Sequence, residues 1–242
     1  MIPPSPPPEP AAGHGSPSER RRARGSAPTP GWCAREVEQE LPGLRLLSSR
    51  VEVRRKGSLT GRSPGDVLER LREKSNRFRG ANAVAVRREP VPSAYRVFFR
   101  HIGLDPDVVR TPIEAAVLER MMKGGFLSLN LIADILLIAL LDTNVPVWAL
   151  DADAVDGPLG IRASEPGERL GRDAEPPELP DGRLVVADAS TPLAVLFGEL
   201  AGGHVPGERT RSLVLFAVQV AGVPELYAEE ALWSARAALE AG

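Results

Sequence analysis

The chain has 242 residues, 43% of them hydrophobic, enough for one large domain or two small ones with a real core. Its longest apolar run, Leu131 to Leu141, is broken by Asp134 and too short to cross a bilayer, and the Pro-rich start has no apolar leader core, so the expectation is a cytoplasmic protein without a membrane partner. The net charge of −2 hides an asymmetry: residues 45–100 hold 15 Arg or Lys against 5 Asp or Glu, a balance of +10, whereas residues 101–242 hold 10 against 22, a balance of −12. A segregated basic block suits a polyanion, because neutralised phosphates release counterions, but it equally suits a solvated face or pairing with the acidic half of the molecule.

In chain order, residues 1–31 contain nine prolines and the arginines 20, 21, 22 and 24, a composition that cannot offset chain entropy and reads as a disordered tail ahead of a domain over 32–242. Leu44 to Val53 alternates as a strand, and Ser63-Pro64 opens a helix through Leu68, Leu71 and Phe78 that carries Arg70, Arg72, Lys74, Arg77 and Arg79. Pro90 and Pro92 are expected to break the chain before a short amphipathic helix marked by Tyr95, Phe98, Phe99 and Ile102. Thr111-Pro112 starts a helix, with Thr as cap, that stops at Gly124-Gly125, and a third helix covers Leu131 to Leu141. Beyond Asn144, the pieces Val147 to Leu150, Leu159 to Arg162, Arg183 to Ala187, Leu193 to Phe197 and Leu213 to Val220 read as strands, followed by a helix over Glu225 to Leu239. Helices grouped before a mainly antiparallel sheet indicate an α+β single domain.

Cys33 is the single cysteine and the three histidines, His14, His101 and His204, are far apart, so neither a disulfide, a metal site nor a cofactor is expected. Asp151, Asp153 and Asp156 lack the further oxygen ligands and bidentate glutamate of a calcium loop. No Ser/His/Asp order, phosphate loop or nucleotide fingerprint is present.

Within Ser128 to Leu170 the residues Asn130, Asp134, Pro146, Ala149, Asp151, Asp153, Gly157, Arg162, Ala163, Gly167 and Glu168 form a spaced pattern, continued by Val186-Ala187-Asp188, Phe197-Gly198 and Thr210. That pattern resembles the tRNA-editing module of the bacterial phenylalanyl-tRNA synthetase beta chain, formed by its third and fourth B domains, and its free-standing relatives. The resemblance covers about Tyr95 to Val223. It implies an α+β fold and tRNA or aminoacyl-tRNA as partner, and it places Asn130 and Asp134 on a helix that helps build the substrate pocket. The reading from the residues alone is different: a helix cap by Asn130 and a buried Asp134 satisfied by backbone amides. Tyr95 and its aromatic neighbours read either as core or as a stacking platform.

Two positions depart from the family pattern. Trp148 stands where the module usually carries a histidine, and Phe216 where it carries a glutamate, so the polar pair associated with recognising tyrosine is aromatic here. Hydrolysis of an aminoacyl ester needs a positioned water and a home for the oxyanion rather than a protein nucleophile. Gly198 in the matched turn, with Glu199 and His204 beyond it, is the candidate for that role. His204 is either a general base, a phosphate contact or an incidental loop residue. The expected function is binding of tRNA or aminoacyl-tRNA, with trans-editing hydrolysis that is not tyrosine-selective. The alternatives are a non-catalytic RNA-binding scaffold and a protein that binds a free amino acid. The candidate site comprises His204 and Glu199 as catalytic groups, and Asn130, Asp134, Trp148, Gly198, Thr210 and Phe216 as substrate contacts. Arg70, Arg72, Lys74, Arg77 and Arg79 are the RNA contacts.

Overall fold

The computed structural model describes residues 27–241, so the expected tail, its arginines and His14 lie almost wholly outside the described residues. The elements are β1 (Thr29–Pro30), β2 (Trp32–Cys33), α1 (Arg35–Glu40), β3 (Arg45–Glu52), α2 (Gly65–Arg77), α3 (Ala81–Ala85), α4 (Pro90–His101), α5 (Pro112–Lys123), α6 (Leu131–Thr143), β4 (Val147–Asp151), β5 (Gly160–Ala163), β6 (Leu184–Ala187), β7 (Pro192–Val195), β8 (Ser212–Gln219) and α7 (Glu225–Glu240). The fold is α+β, as expected, but the strands form two four-stranded sheets, ordered β1-β3-β8-β4 and β2-β5-β6-β7. All pairings are antiparallel except β2 with β5.

Gly31 joins the sheets. It donates its amide to Leu46 O, and the next amide, of Trp32, goes to Leu159 O in the other sheet. A side chain at 31 would place its Cβ 2.4 Å from Leu159 O, so only glycine lets the chain cross there. The Trp32 ring then lies on Gly160, where an added Cβ would come within 2.0 Å of it.

The almost wholly apolar α6 is central: α2, α5 and α7 pack against it, and α7 covers the face of β3 and β8. The main core runs from Leu46, Leu47 and Val51 through Leu213 to Val220 into Ala228, Leu232 and Leu239. A second cluster, with Phe78, Val86, Ile113, Val117 and Leu141, holds α3 and α5 to the outer side of α6. A third, with Leu170, Leu179, Val185, Val195 and Ala201, underlies the loops of the second sheet.

Some local expectations need correction. Pro90 and Pro92 do not precede α4 but form its first turn, where a missing N–H costs nothing and a fixed φ favours the helix. Thr111 occupies the N-cap position of α5, yet its hydroxyl donates to Glu114 Oε2 at 2.7 Å rather than accepting from a helix amide. The strand expected to run through Phe197 ends at Val195, because Phe197 turns the chain with φ at 57°.

Candidate functional site

Antiparallel pairing of β4 and β8 sets Trp148 directly opposite Phe216. Their rings stack at 5.4 Å with planes 12° apart. The two departures from the family pattern are therefore one cross-strand pair, the geometry in which aromatic side chains interact most closely on a sheet.

Beside this pair sits Phe197. Its ring centroid lies 5.6 Å from Tyr95, 5.7 Å from Phe98, 5.3 Å from Phe99 and 5.6 Å from Trp148, mostly edge-on or tilted. The i, i+3, i+4 spacing of Tyr95, Phe98 and Phe99 puts all three on the side of α4 that faces the turn. The only hydroxyl in the group, that of Tyr95, is spent on Val218 O at 2.7 Å, and burial pushes its pKa far above the ordinary phenol value. The result is an aromatic box whose interior is occupied by the protein's own phenylalanine.

The turn that inserts Phe197 is closed by Gly198 N donating to Val195 O at 2.8 Å and Val195 N donating to Glu199 O at 2.9 Å. A left-handed φ on a residue with a Cβ costs about 1–2 kcal/mol, an amount that edge-to-face contacts of roughly 0.5–1.5 kcal/mol each can offset. Gly198 is required by the turn itself, since a Cβ there would meet Val195 Cβ at 2.9 Å. Gly198 and Glu199 also border an open cavity of about 410 Å³ with Leu179, Pro180 and Arg183, beside the turn.

His204 lies apart from that turn, in a short 3-10 segment over Gly202–His204. It is only 3% exposed, and its Nδ1 has no hydrogen-bond partner among the described residues. A Cβ at Gly171 would stand 3.6 Å from that nitrogen, which shows how closely the neighbouring loop packs on the ring. Burial holds the imidazole below its ordinary pKa; the Asp188 carboxylate opposes this, Arg172 adds to it and Asp173 opposes it. No hydrogen bond joins His204 to Glu199 among the described residues. In this conformation the His204 imidazole is not presented to an ester approaching from solvent.

Thr210 donates its hydroxyl to Asp151 Oδ2 and accepts from Gly207 N at 2.9 Å. Asp151 also accepts from Asp153 N at 3.1 Å, and Asp188 accepts the amides of Asp156, Ser190 and Thr191. The matched aspartates therefore tie turns together. Asn130 caps α6 by accepting from Ala133 N at 2.9 Å. Asp134, 1% exposed, accepts from Ser63 Oγ at 2.6 Å, Ser128 Oγ at 2.5 Å and Leu129 N at 3.0 Å. Every bond these two side chains make fixes the start of α6 and the loops that meet it.

Of the expected RNA contacts, Arg70 and Lys74 both pair with Asp142 of α6, and Arg77 borders a small cavity with Glu89 and Asp142. Arg72 and Arg79 are exposed. The structure thus brings together Trp148, Phe216 and the turn preceding Gly198, and it separates from them Asn130, Asp134 and His204. Tyr95, Phe98, Phe99 and Phe197 are the box residues that lie outside the candidate site read from the sequence. The aromatic spacing on α4 was a visible signal; the inward turn of Phe197 was not.

Comparison with known proteins places this arrangement. A family model described as the B3/4 domain matches residues 94–217, just over half the chain. The phenylalanine–tRNA ligase beta subunit of Xanthomonas oryzae pv. oryzae is 36% identical over 94 residues, 38% of this chain and 12% of that protein. The same subunit of Xylella fastidiosa is 35% identical over 117 residues, 45% and 13% of the two chains, and that of Legionella pneumophila is 28% identical over 155 residues, 61% and 19%. The chain matches between about an eighth and a fifth of the length of these relatives. The family segment begins at Ala94, next to the first ring of the box, and ends at Ala217, next to the last, so the chain belongs to the B3/4 domain family, as a relative of the third and fourth B domains of the phenylalanyl-tRNA synthetase beta chain.

Proposed function

We propose that this protein is a tRNA-binding domain that engages the acceptor end without cleaving the aminoacyl ester, its side-chain pocket being closed by Phe197. The single observation that carries this reading is the Phe197 ring lodged among Tyr95, Phe98, Phe99 and Trp148. Similarity to subunits named for a tRNA ligase supports tRNA as partner. With the Tyr95 hydroxyl engaged, the box offers only the Trp148 indole N–H, a donor that cannot take up a proton as a general base, and the buried His204 does not supply one. No helix among the described residues is long and apolar enough to cross a membrane, and a partner from translation supports a cytoplasmic location.

A second reading rests on the cavity of about 410 Å³ beside Gly198 and Glu199. If the turn swings into that space, the vacated box is apolar and admits a small or aliphatic aminoacyl group; a phenol hydroxyl buried there without a partner loses about 1–3 kcal/mol. Deacylation of a panel of mischarged tRNAs decides between the two readings. Incubated with saturating protein, charged tRNA is expected to bind and keep its ester at or above the spontaneous half-life for every amino acid. Faster loss of alanine or valine would establish the hydrolase, and faster loss of tyrosine would contradict both readings.

A further inference from the structure

Among the described residues, several exposed arginines make no hydrogen bond or close ion pair, Arg72 on α2 among them, and a cluster of these lies away from α2. Arg87 and Arg88 lie in the short 3-10 turn between α3 and α4, Arg100 is in the last turn of α4, and Arg110 precedes α5; all four are exposed. Arg87 and Arg110 line one groove of about 160 Å³ between α3 and α5. Arg87 and Arg100 both act on Asp107, whose carboxyl is held below its ordinary pKa first by its hydrogen bond from Arg96 and then by the charges of Arg96, Arg100 and Arg87. The guanidinium groups of Arg87, Arg100 and Arg110 therefore share one face.

What leaves them free is that the surrounding acids are already engaged. Arg96, itself buried, bonds Glu114 Oε1 at 2.6 Å and Asp107 Oδ1 at 2.8 Å. The other oxygen of Glu114 takes the Thr111 hydroxyl, Asp105 accepts from Asp107 N, and Glu89 accepts from Asn144 Nδ2. On α2, by contrast, Asp142 neutralises Arg70 and Lys74. Between the free arginines stand Val97, 61% exposed, Val84, 55% exposed, and Met121, 49% exposed. Guanidinium forks match phosphate oxygens, and the interleaved apolar side chains suit sugars and base faces.

We infer that Arg87, Arg100 and Arg110 form the docking site for the phosphate backbone of the RNA partner, and that the cations of α2 are secondary. This rests on the tRNA reading above and assigns that partner to a face of the molecule. The planar forks and the narrow groove favour a chain of phosphates over an acidic protein helix.

The test is tRNA binding by the full chain at several salt concentrations, with the double variant Arg87→Ala/Arg110→Ala beside Arg35→Ala/Arg54→Ala, which removes two exposed arginines elsewhere. Loss of two phosphate contacts lowers affinity about tenfold or more near 0.1 M salt and reduces the log–log salt slope by about 2, whereas the second variant changes affinity less than about threefold. If both variants lose affinity equally, or the first loses none while the native protein binds, the site is wrong and the tRNA reading stands. If the native protein binds no tRNA, both fall. If polyglutamate of equal charge competes with tRNA for the arginine face at equal concentration, the face takes acidic polypeptide and the proposal is overturned.

Discussion

Phe197 holds a backbone conformation that residues with a Cβ avoid, and four rings around it hold it there. Truncation separates the two effects. Phe197→Ala loses the ring and keeps the strained φ, at a cost of about 3–4 kcal/mol, while Phe197→Gly loses the same ring but relieves the strain. The glycine variant is therefore expected to be the more stable by roughly 0.5–1 kcal/mol in urea unfolding, the reverse of the usual order at an ordinary φ. An alanine variant that is the more stable would mean that the turn is not left-handed in solution. The pair at 148 and 216 gives a second expectation. Phe216 is 1% exposed, so Phe216→Glu alone buries a carboxylate among rings and destabilises by several kcal/mol, about 3–5. Adding Trp148→His supplies an imidazole directly across the strands and is expected to recover at least about 1 kcal/mol in a double-mutant cycle. Additive losses would show that the two positions do not face each other. These two positions were marked out by the family resemblance, but their juxtaposition depends on strand register, which an eight-residue apolar strand such as β8 does not encode by itself.

At the scale of elements, α6 shows why a matched motif is not always a site. Asn130 and Asp134 share a face one turn apart, as read from the sequence, and both alternatives remained open there: pocket residues or a cap with a satisfied buried carboxylate. The bonds favour the structural reading. Asp134 draws Ser63, ahead of α2 and 71 residues away in sequence, onto the same carboxylate as Ser128 and Leu129 just ahead of α6. Asp134→Ala leaves two hydroxyls and an amide without their acceptor and is expected to cost about 2–4 kcal/mol; Asn130→Ala, which loses one cap bond, costs about 1 kcal/mol. Thermal melts of both variants beside their tRNA affinities provide the check. Stability should fall in that order with affinity retained at low temperature, and lost affinity without lost stability would return both residues to the binding site. Long periodic helices such as α2 and α7 were readable because one buried stripe repeats over several turns. The two-residue strands β1 and β2 carry no periodicity, and their place is fixed by what Gly31 lets the chain approach.

Across the whole molecule, the acidic second half neutralises part of the basic block, through Asp142 on Arg70 and Lys74 and through Asp107 and Glu114 on Arg96. The charge asymmetry was legible as a count; which arginines stay unpaired was not, because pairing is set by helix packing. The same burial that removes His204 from solvent gives stability a pH dependence with a defined sign. Packed against the third core cluster and facing Asp188, Asp173 and Arg172, the imidazole has a folded pKa below its ordinary 6.5. Above about pH 6.5 it is neutral in both states and contributes nothing to the dependence. Below that value the unfolded chain takes up a proton that the folded one refuses, so stability falls until the pH passes the folded pKa. Glu168, held below its ordinary value of 4.5 by the Arg162 hydrogen bond, and Asp107, held below 3.8 by Arg96, add a second loss at lower pH as their unfolded counterparts protonate first. Urea midpoints measured from about pH 8 downward are therefore expected to decline in two stages, beginning near 6.5 and again below about 4.5. His204→Gln, which fills similar space without titrating, should remove the first stage and leave the second. If the first stage survives in that variant, His204 is not the group responsible, and an imidazole that titrates at its ordinary value would be open to solvent and available again as a general base.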